Sequence, residues 1–126
     1  MPERKLVAQE EWLYRRSWLP EKIYLNPDGT ATSRVFRLRA NRNETELSVD
    51  VKSMTTPEKS VGDKDNFFLF ELPNLAVLSI AEPKLSTYHD PIEDGTNNAH
   101  AVIVGMTIED EITPALLARA SKKVAI

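Results

Sequence analysis

Apolar and polar residues alternate without interruption from Glu46 to Lys52, so every second side chain points to the same side of the backbone. A period of two is typical of a β-strand with one face in the protein interior and one face toward solvent. The pattern therefore predicts a half-buried strand in which Leu47, Val49 and Val51 face the core.

Other apolar runs, bounded by proline, glycine and asparagine, indicate further strands. The segment 9–18 is compatible with a short helix or a strand, and Pro20 must end it. The runs predicted to be strands are 34–39, 67–72, 75–81, 85–89 and 99–106.

Capping residues predict two helices. Thr56 and Pro57 have the chemistry of a helix start, and Gly62 would end that helix. Thr113 with the following proline is interpreted as the start of a second helix over residues 115–124.

The order of these elements favours one fold class. Strands come in runs and not in alternation with helices, which indicates an α+β fold and not a doubly wound α/β fold. A chain of 126 residues without repeats or a Gly/Ser linker is expected to form a single domain over residues 1–126. We predict a compact, mostly antiparallel sheet of five to seven strands with two or three short helices, and residues 1–8 as a flexible N-terminal tail.

Composition narrows the classes of protein. Cysteine is absent, which excludes disulfides, thiolate nucleophiles and cysteine-ligated metal centres. The N-terminus lacks the apolar core of a signal peptide, and the longest apolar tract is broken by Glu71, Pro73 and Asn74, too early for a membrane span. We therefore expect a cytoplasmic, bacterial-type protein without membrane contact.

Charge is distributed unevenly along the chain, although the net charge is only -3. Residues 1–42 carry nine Lys and Arg against five Asp and Glu, whereas residues 43–126 carry seven against fourteen. If the fold keeps the two parts separate, the basic part would attract an acidic partner.

The polar loop between the strands predicted at 85–89 and 99–106 contains both histidines, and strand-end loops often carry binding and catalytic groups. Antiparallel pairing of the flanking strands would bring His89 and His100 close together, with Asp90 in reach. These three residues are candidate acid–base or metal-binding groups, but their spacing matches no known ligand signature, so we assign no metal ligands. In the alternative, the loop residues only form turns and the histidines cap or pack them.

Arginines near aromatic residues form the second candidate site. Arg15, Arg16, Arg37 and Arg39, with Asn98 from the polar loop, could bind a phosphate or a nucleotide. The alternative is an ordinary solvent-facing strand with cross-strand Arg–Glu pairs. Nucleic acid is disfavoured as a partner because the sequence pI is about 5.4.

Sequence motifs of hydrolases and nucleotide triphosphatases are missing. The chain has no Gly-x-Ser-x-Gly elbow, no Gly-x-Gly-x-x-Gly fingerprint and no phosphate-binding loop, and it has only four glycines. Hydroxyls such as that of Ser48 therefore have no recognised nucleophile context, and no particular cofactor is indicated.

Five sequence blocks carry a resemblance to a group of short uncharacterised bacterial proteins. They are Leu-Tyr-Arg-Arg at 13–16, Phe-Arg at 36–37, Leu-Ser-Val at 47–49, His-Asp-Pro at 89–91 and Asn-Ala-His-Ala-Val-Ile-Val-Gly at 98–105. The resemblance implies no activity, but such proteins often belong to defence or toxin–antitoxin-like gene clusters. The early Tyr-Arg pair is also similar to ADP-ribosyltransferase-like toxins, in which an early arginine contacts NAD, although no matching glutamate motif follows.

Two functions remain open. The first is a non-enzymatic protein-interaction module, acting on another protein encoded nearby, in a defence or toxin–antitoxin-like system. The second is a small enzyme or nucleotide-binding domain, ADP-ribosyltransferase-like or phosphate-handling, that uses Arg15 or Arg16 with His100. The two differ in whether the N-terminal arginines and the polar loop meet in one pocket.

Overall fold

The computed structural model of the chain describes residues 4–18, 24–92 and 95–126, and these form a seven-stranded sheet with several short helices. The elements are β1 (Lys5–Leu6), β2 (Trp12–Trp18), β3 (Leu47–Val51), α1 (Pro57–Val61), β4 (Phe67–Pro73), α2 (Asn74–Leu78), β5 (Ser86–His89), β6 (His100–Val104), α3 (Ile112–Ala120) and β7 (Lys122–Lys123). The spatial order of the strands is β1-β5-β6-β3-β2-β4-β7, and every neighbouring pair is antiparallel. The predicted α+β fold is confirmed.

The strand with the clean alternation, β3, lies at the centre of the sheet. It pairs with β6 on one side and with β2 on the other. Leu47, Val49 and Val51 are at most 3% exposed, as the pattern predicted. The polar residues between them, Ser48 and Asp50, therefore point to the opposite face of the sheet.

The two faces of the sheet carry separate apolar clusters. The main core includes Phe70 of β4 and Leu117 of α3, on the same face as the apolar residues of β3. On the opposite face, Tyr14 and Leu69 pack against Val61 of α1. The second cluster attaches α1 to β2 and β4, on the same face of the sheet as the polar residues of β3, which is where the candidate site lies.

The first predicted helix, α1, is confirmed together with its caps. The Thr56 hydroxyl accepts a hydrogen bond from the Lys59 amide at 3.2 Å, Pro57 is the first helical residue, and Gly62 ends the helix with φ +68°. The caps determine which residues of α1 face the sheet, including Ser60, which is buried.

Two predicted strands are wrong. A 3-10 helix at Ser33–Phe36 overlaps the run 34–39 and packs against α3. It buries the adjacent side chains of Val35 and Phe36, whereas a strand would point them to opposite faces. The run 75–81 overlaps α2, in which Asn74 and Val77, one helical turn apart, are buried. A short apolar run does not by itself distinguish a strand from a buried helix.

One further element has other bounds than predicted, and the type of another was left open by the sequence. The C-terminal helix begins at Ile112 and ends at Ala120, because Lys122 and Lys123 leave it to pair with β4. The segment 9–18, ambiguous in sequence, contains the strand β2. Pro20, expected to end it, lies outside the described residues.

The buried Asn74 joins three parts of the chain. Its amide nitrogen donates to the carbonyls of Val7 and Ala8, both at 3.1 Å, and its oxygen accepts from the Thr87 hydroxyl at 2.6 Å. β1 pairs with β5 just before this contact. Within the segment 1–8, expected as a flexible tail, residues 4–8 thus include a strand and the buried Val7.

Among the described residues, no helix is both long and apolar enough to cross a membrane.

Candidate binding cleft

The candidate site lies where two neighbouring strands separate. β2 and β3 are paired only at Leu13↔Val51 and Tyr14↔Asp50. Beyond this point β2 continues along β4 as far as Trp18, whereas β3 continues along β6. A wedge therefore opens inside the sheet between the two diverging strands.

Arg15 occupies this wedge. Its Nε donates to the carbonyl oxygen of Val35 and its Nη1 to that of Ser48, each at 2.8 Å. Beyond the last residue pair of β2 and β3, the guanidinium thus donates to β3 in the place of a backbone amide of β2. Burial lowers the pKa of Arg15 to about 10, so the side chain is still a cation at neutral pH.

The wedge widens into a cavity of about 690 Å³. Its lining includes four cationic side chains: Arg15, Arg16, Arg39 and Lys59. Among the described residues, Asp50 is the one acidic side chain in this lining. The cavity is therefore cationic although the chain as a whole is acidic.

An aromatic wall closes one side of the cavity. The guanidinium carbon of Arg16 lies 4.0 Å from the ring centre of Phe67, in a cation–π arrangement. The ring of Trp18 lies 4.5 Å from that of Phe67, and Trp18 is 44% exposed. An exposed ring beside a stacked guanidinium is a surface on which a planar ligand can lie.

Arg39 forms an ion pair with Glu44. Its Nη2 donates to Glu44 at 2.9 Å, and its backbone amide donates to the same carboxylate at 2.6 Å. Burial acts against the charge of Glu44, but these hydrogen bonds and the charge of Arg39 outweigh it, so the pKa of Glu44 lies below its ordinary value. The buried Nε of Arg39 has no hydrogen-bond partner among the described residues.

On the β3 side of the cavity, His100 faces Ser48. The Nδ1 of His100 lies 2.7 Å from the carbonyl oxygen of Asp90, and its Nε2 lies 3.3 Å from the Ser48 hydroxyl. A carbonyl oxygen only accepts, so Nδ1 carries the proton and donates it. In the neutral ring, Nε2 is then an acceptor for the hydroxyl of Ser48.

Asp50, next on the same strand face, organises the loop that precedes β6. Its carboxylate accepts from the Ser60 hydroxyl of α1 at 2.7 Å and from the Asn97 side chain at 2.9 Å. Asn97 in turn accepts from the Ala99 amide at 3.1 Å. The carboxylate therefore fixes α1 and the loop as the two rims of the cavity.

Five of the residues that the sequence suggested lie around this cavity: Arg15, Arg16, Arg39, Asn98 and His100. Three others lie elsewhere: Arg37, His89 and Asp90. Arg37 is partly exposed and lies 3.8 Å from Glu111, and the Asp90 side chain pairs with Arg4 at 3.2 Å, so Asp90 contributes to the site only through its backbone.

The two histidines do not act as a pair. His89 is opposite Ala101 in the β5–β6 register, so it points to the other face of the sheet from His100. Its Nε2 lies 2.7 Å from the Asn98 carbonyl oxygen and holds the loop from outside the cavity. In the part of the chain that the structure describes, no group of three or more His, Asp or Glu side chains could hold a metal ion.

Sequence reasoning missed Ser48, Asp50, Lys59, Ser60 and Asn97 as cavity residues. A signal for the first two existed in the alternation of β3, whose polar positions were interpreted only as the solvent face. The α1 residues and Asn97 had no such signal, because their place depends on packing against a distant strand.

Comparisons of the chain with protein-family models, with curated proteins and with solved structures found no match.

Proposed function

We propose that the protein binds a small phosphate-bearing ligand with a planar ring, of the nucleotide class, in the cavity between β2 and β3. The observation that carries the proposal is Arg15. Its two bonded nitrogens contact neutral carbonyl oxygens, and no carboxylate pairs with it within residues 4–18, 24–92 and 95–126. The charge of Glu44 favours the cation without contacting it, and a half-buried cation with no directly paired carboxylate beside an open cavity is further stabilised by an anionic ligand.

The surroundings of Arg15 favour a phosphate and a ring together. Arg16 and Lys59 add donors that suit phosphate oxygens. The exposed ring of Trp18 offers a stacking surface next to them. A nucleotide would use both features in one molecule, which supports the nucleotide-binding alternative predicted from the sequence.

Isothermal titration calorimetry with adenosine and guanosine 5′-phosphates tests the proposal. We expect a nucleotide to bind more tightly than adenosine or inorganic phosphate alone. Arg16→Gln and Lys59→Gln should each weaken binding about tenfold, the order of one charge-assisted hydrogen bond. Among the residues that the structure describes, no side-chain hydrogen bond joins Arg16 or Lys59 to the core, so both variants are expected to fold.

Arg37→Gln is the matched control, because it removes an equal charge from a partly exposed side chain that pairs with Glu111 away from the cavity. Its affinity should equal that of the wild type. Absence of binding at millimolar nucleotide, or equal weakening by Arg37→Gln and Arg16→Gln, would show that the proposal is wrong.

The other function predicted from the sequence, a protein-interaction module in a defence or toxin–antitoxin-like system, stays a prediction. Exposed apolar side chains on α3 favour it: Ile112 is 74% exposed and Leu116, one turn further along, is 41% exposed.

A further inference from the structure

Ser48 and His100 have the relative geometry of a nucleophile and its base. The Asp90 carbonyl fixes the imidazole from one side and leaves Nε2 as the acceptor 3.3 Å from the hydroxyl. A nucleophile, a base and a group that orients the base are the three parts of an activated serine. A separation slightly above hydrogen-bond length is common before a substrate binds.

Ser48 is also placed where a ligand can reach it. It is an exposed polar position of the central strand β3 and lines the cationic cavity. The backbone of Ser48 is held on the other side by Arg15, which donates to its carbonyl oxygen. A reactive group on a rigid strand keeps its direction better than one on a loop.

We propose that Ser48 is a nucleophile and His100 its general base in phosphoryl transfer from a phosphate monoester held in the cavity. The Ser48 Oγ–P bond forms while the P–O bond to the alcohol breaks. His100 takes the hydroxyl proton and returns it to the departing alkoxide. Water then attacks the phosphorus while His100 takes its proton. The Oγ–P bond breaks, His100 gives the proton to the Ser48 oxygen, and inorganic phosphate is released.

The charges around Ser48 favour phosphoryl transfer over acyl transfer. Arg15, Arg16 and Lys59 supply several cationic donors in one cavity, which is the arrangement that neutralises the charged oxygens of a transferring phosphoryl group. The substrate class rests on the proposed binding of a phosphate-bearing ligand, whereas the nucleophile–base geometry does not depend on it.

A biotinylated fluorophosphonate tests the nucleophile directly, because an activated serine displaces its fluoride and keeps the phosphorus. Peptide mass spectrometry should locate the label at Ser48 and find none there in Ser48→Ala. His100→Asn retains a donor toward the Asp90 carbonyl but has no Nε2, so labelling should be at least about tenfold slower. Ser53→Ala, which alters an exposed hydroxyl bonded to Glu11, should be labelled like the wild type.

Absence of label at Ser48, or equal labelling rates in His100→Asn and the wild type, would overturn the nucleophile–base pair. The substrate class is tested with p-nitrophenyl phosphate and p-nitrophenyl acetate. Hydrolysis of the phosphate that is lost in Ser48→Ala supports phosphoryl transfer, and Ser48-dependent hydrolysis of the acetate alone contradicts it.

Nucleotide titration of Ser48→Ala separates this inference from the proposed function. If this variant binds nucleotide but wild-type Ser48 is never labelled, binding stands and the nucleophile is wrong. If wild-type Ser48 is labelled and no nucleotide binds, the nucleophile stands and the ligand class is wrong.

Discussion

Arg15 shows how a single side chain can replace part of a hydrogen-bond ladder. Where β2 leaves β3, the guanidinium donates to the Ser48 and Val35 carbonyls and so satisfies two backbone acceptors at the point where the strands separate. The same placement puts a cation at the base of the cavity. Structural support and ligand recognition are therefore combined in one residue, which is why Arg16 and Lys59 are the better sites for testing binding.

Gly105 directly follows β6, the strand that carries His100. Its φ is +121°, and a Cβ there would lie 2.4 Å from the Lys84 carbonyl oxygen. We expect Gly105→Ala to lower the free energy of unfolding by about 3 kcal/mol, since backbone strain and a contact with fixed backbone add together. Urea unfolding followed by circular dichroism measures the loss.

Gly29→Ala is the control for backbone strain alone, because Gly29 has φ +87° and nothing lies within 4 Å of the Cβ position. It should cost about 1–2 kcal/mol. Equal losses in the two variants would mean that the contact with Lys84 is relieved by movement of the chain.

The N-terminus of α3 depends on a residue that the sequence pattern did not single out. Asp110 accepts from the amides of Ile112 and Thr113 at 3.0 and 2.9 Å and from the Thr113 hydroxyl at 2.5 Å. It satisfies amides that have no partner inside the helix. Thr113, predicted to be the cap, is instead buried within the first turn and donates to Asp110, whereas Glu111, directly before the helix, makes no side-chain capping hydrogen bond.

We expect Asp110→Ala to lower the free energy of unfolding by about 1 kcal/mol at pH 7, the usual loss of a helix cap. Burial acts against the charge of Asp110, but its hydrogen bonds from Thr113 and Ile112 outweigh it, so its pKa lies below the ordinary value. A carboxylate with a lowered folded-state pKa stabilises the fold above its unfolded pKa of about 3.9, and this contribution is lost as pH falls through the folded-state pKa.

Urea unfolding of wild type and Asp110→Ala at pH values from about 7 down to 2 measures this dependence. The difference between them should be constant above about pH 5 and shrink below about pH 4. Glu109→Ala, which removes an exposed neighbouring acid, should show little loss at any pH. A difference that grew toward low pH would contradict the assignment of the cap.

An element was predictable from the sequence when the residues that determine it are its own neighbours along the chain. α1 was predicted with its ends because Thr56, Pro57 and Gly62 act on their own neighbours. α2 was mistaken for a strand because its helical packing depends on Asn74, whose partners are Val7, Ala8 and Thr87. The candidate site divides in the same way: arginine and histidine types were recognisable, whereas the Ser48–His100 contact was not.

In the folded molecule, positive charge is concentrated around the cavity. The basic first part contributes Arg15, Arg16 and Arg39 to the cavity, and the acidic second part contributes Asp50 and the loop before β6. The fold thus interleaves the two parts, so the cavity attracts anions although the net charge is -3.

Ionic strength should therefore weaken nucleotide binding. We expect the dissociation constant to rise on the order of tenfold between about 50 and 500 mM NaCl, because salt screens the partly exposed cations. Calorimetry at several salt concentrations measures the dependence, with a titration of adenosine as the uncharged comparison. Nucleotide binding that is insensitive to salt would show that the ring, and not the phosphate, carries the recognition.

By itself, the sequence determined the α+β class, the core face of β3 and the ends of α1, because alternation and capping act within a few residues. Only the tertiary structure decided where β2 leaves β3, that Arg15 fills the gap, and that His100 faces Ser48 while His89 points away. These outcomes depend on strand order and register, which are set by pairing between segments far apart in the chain.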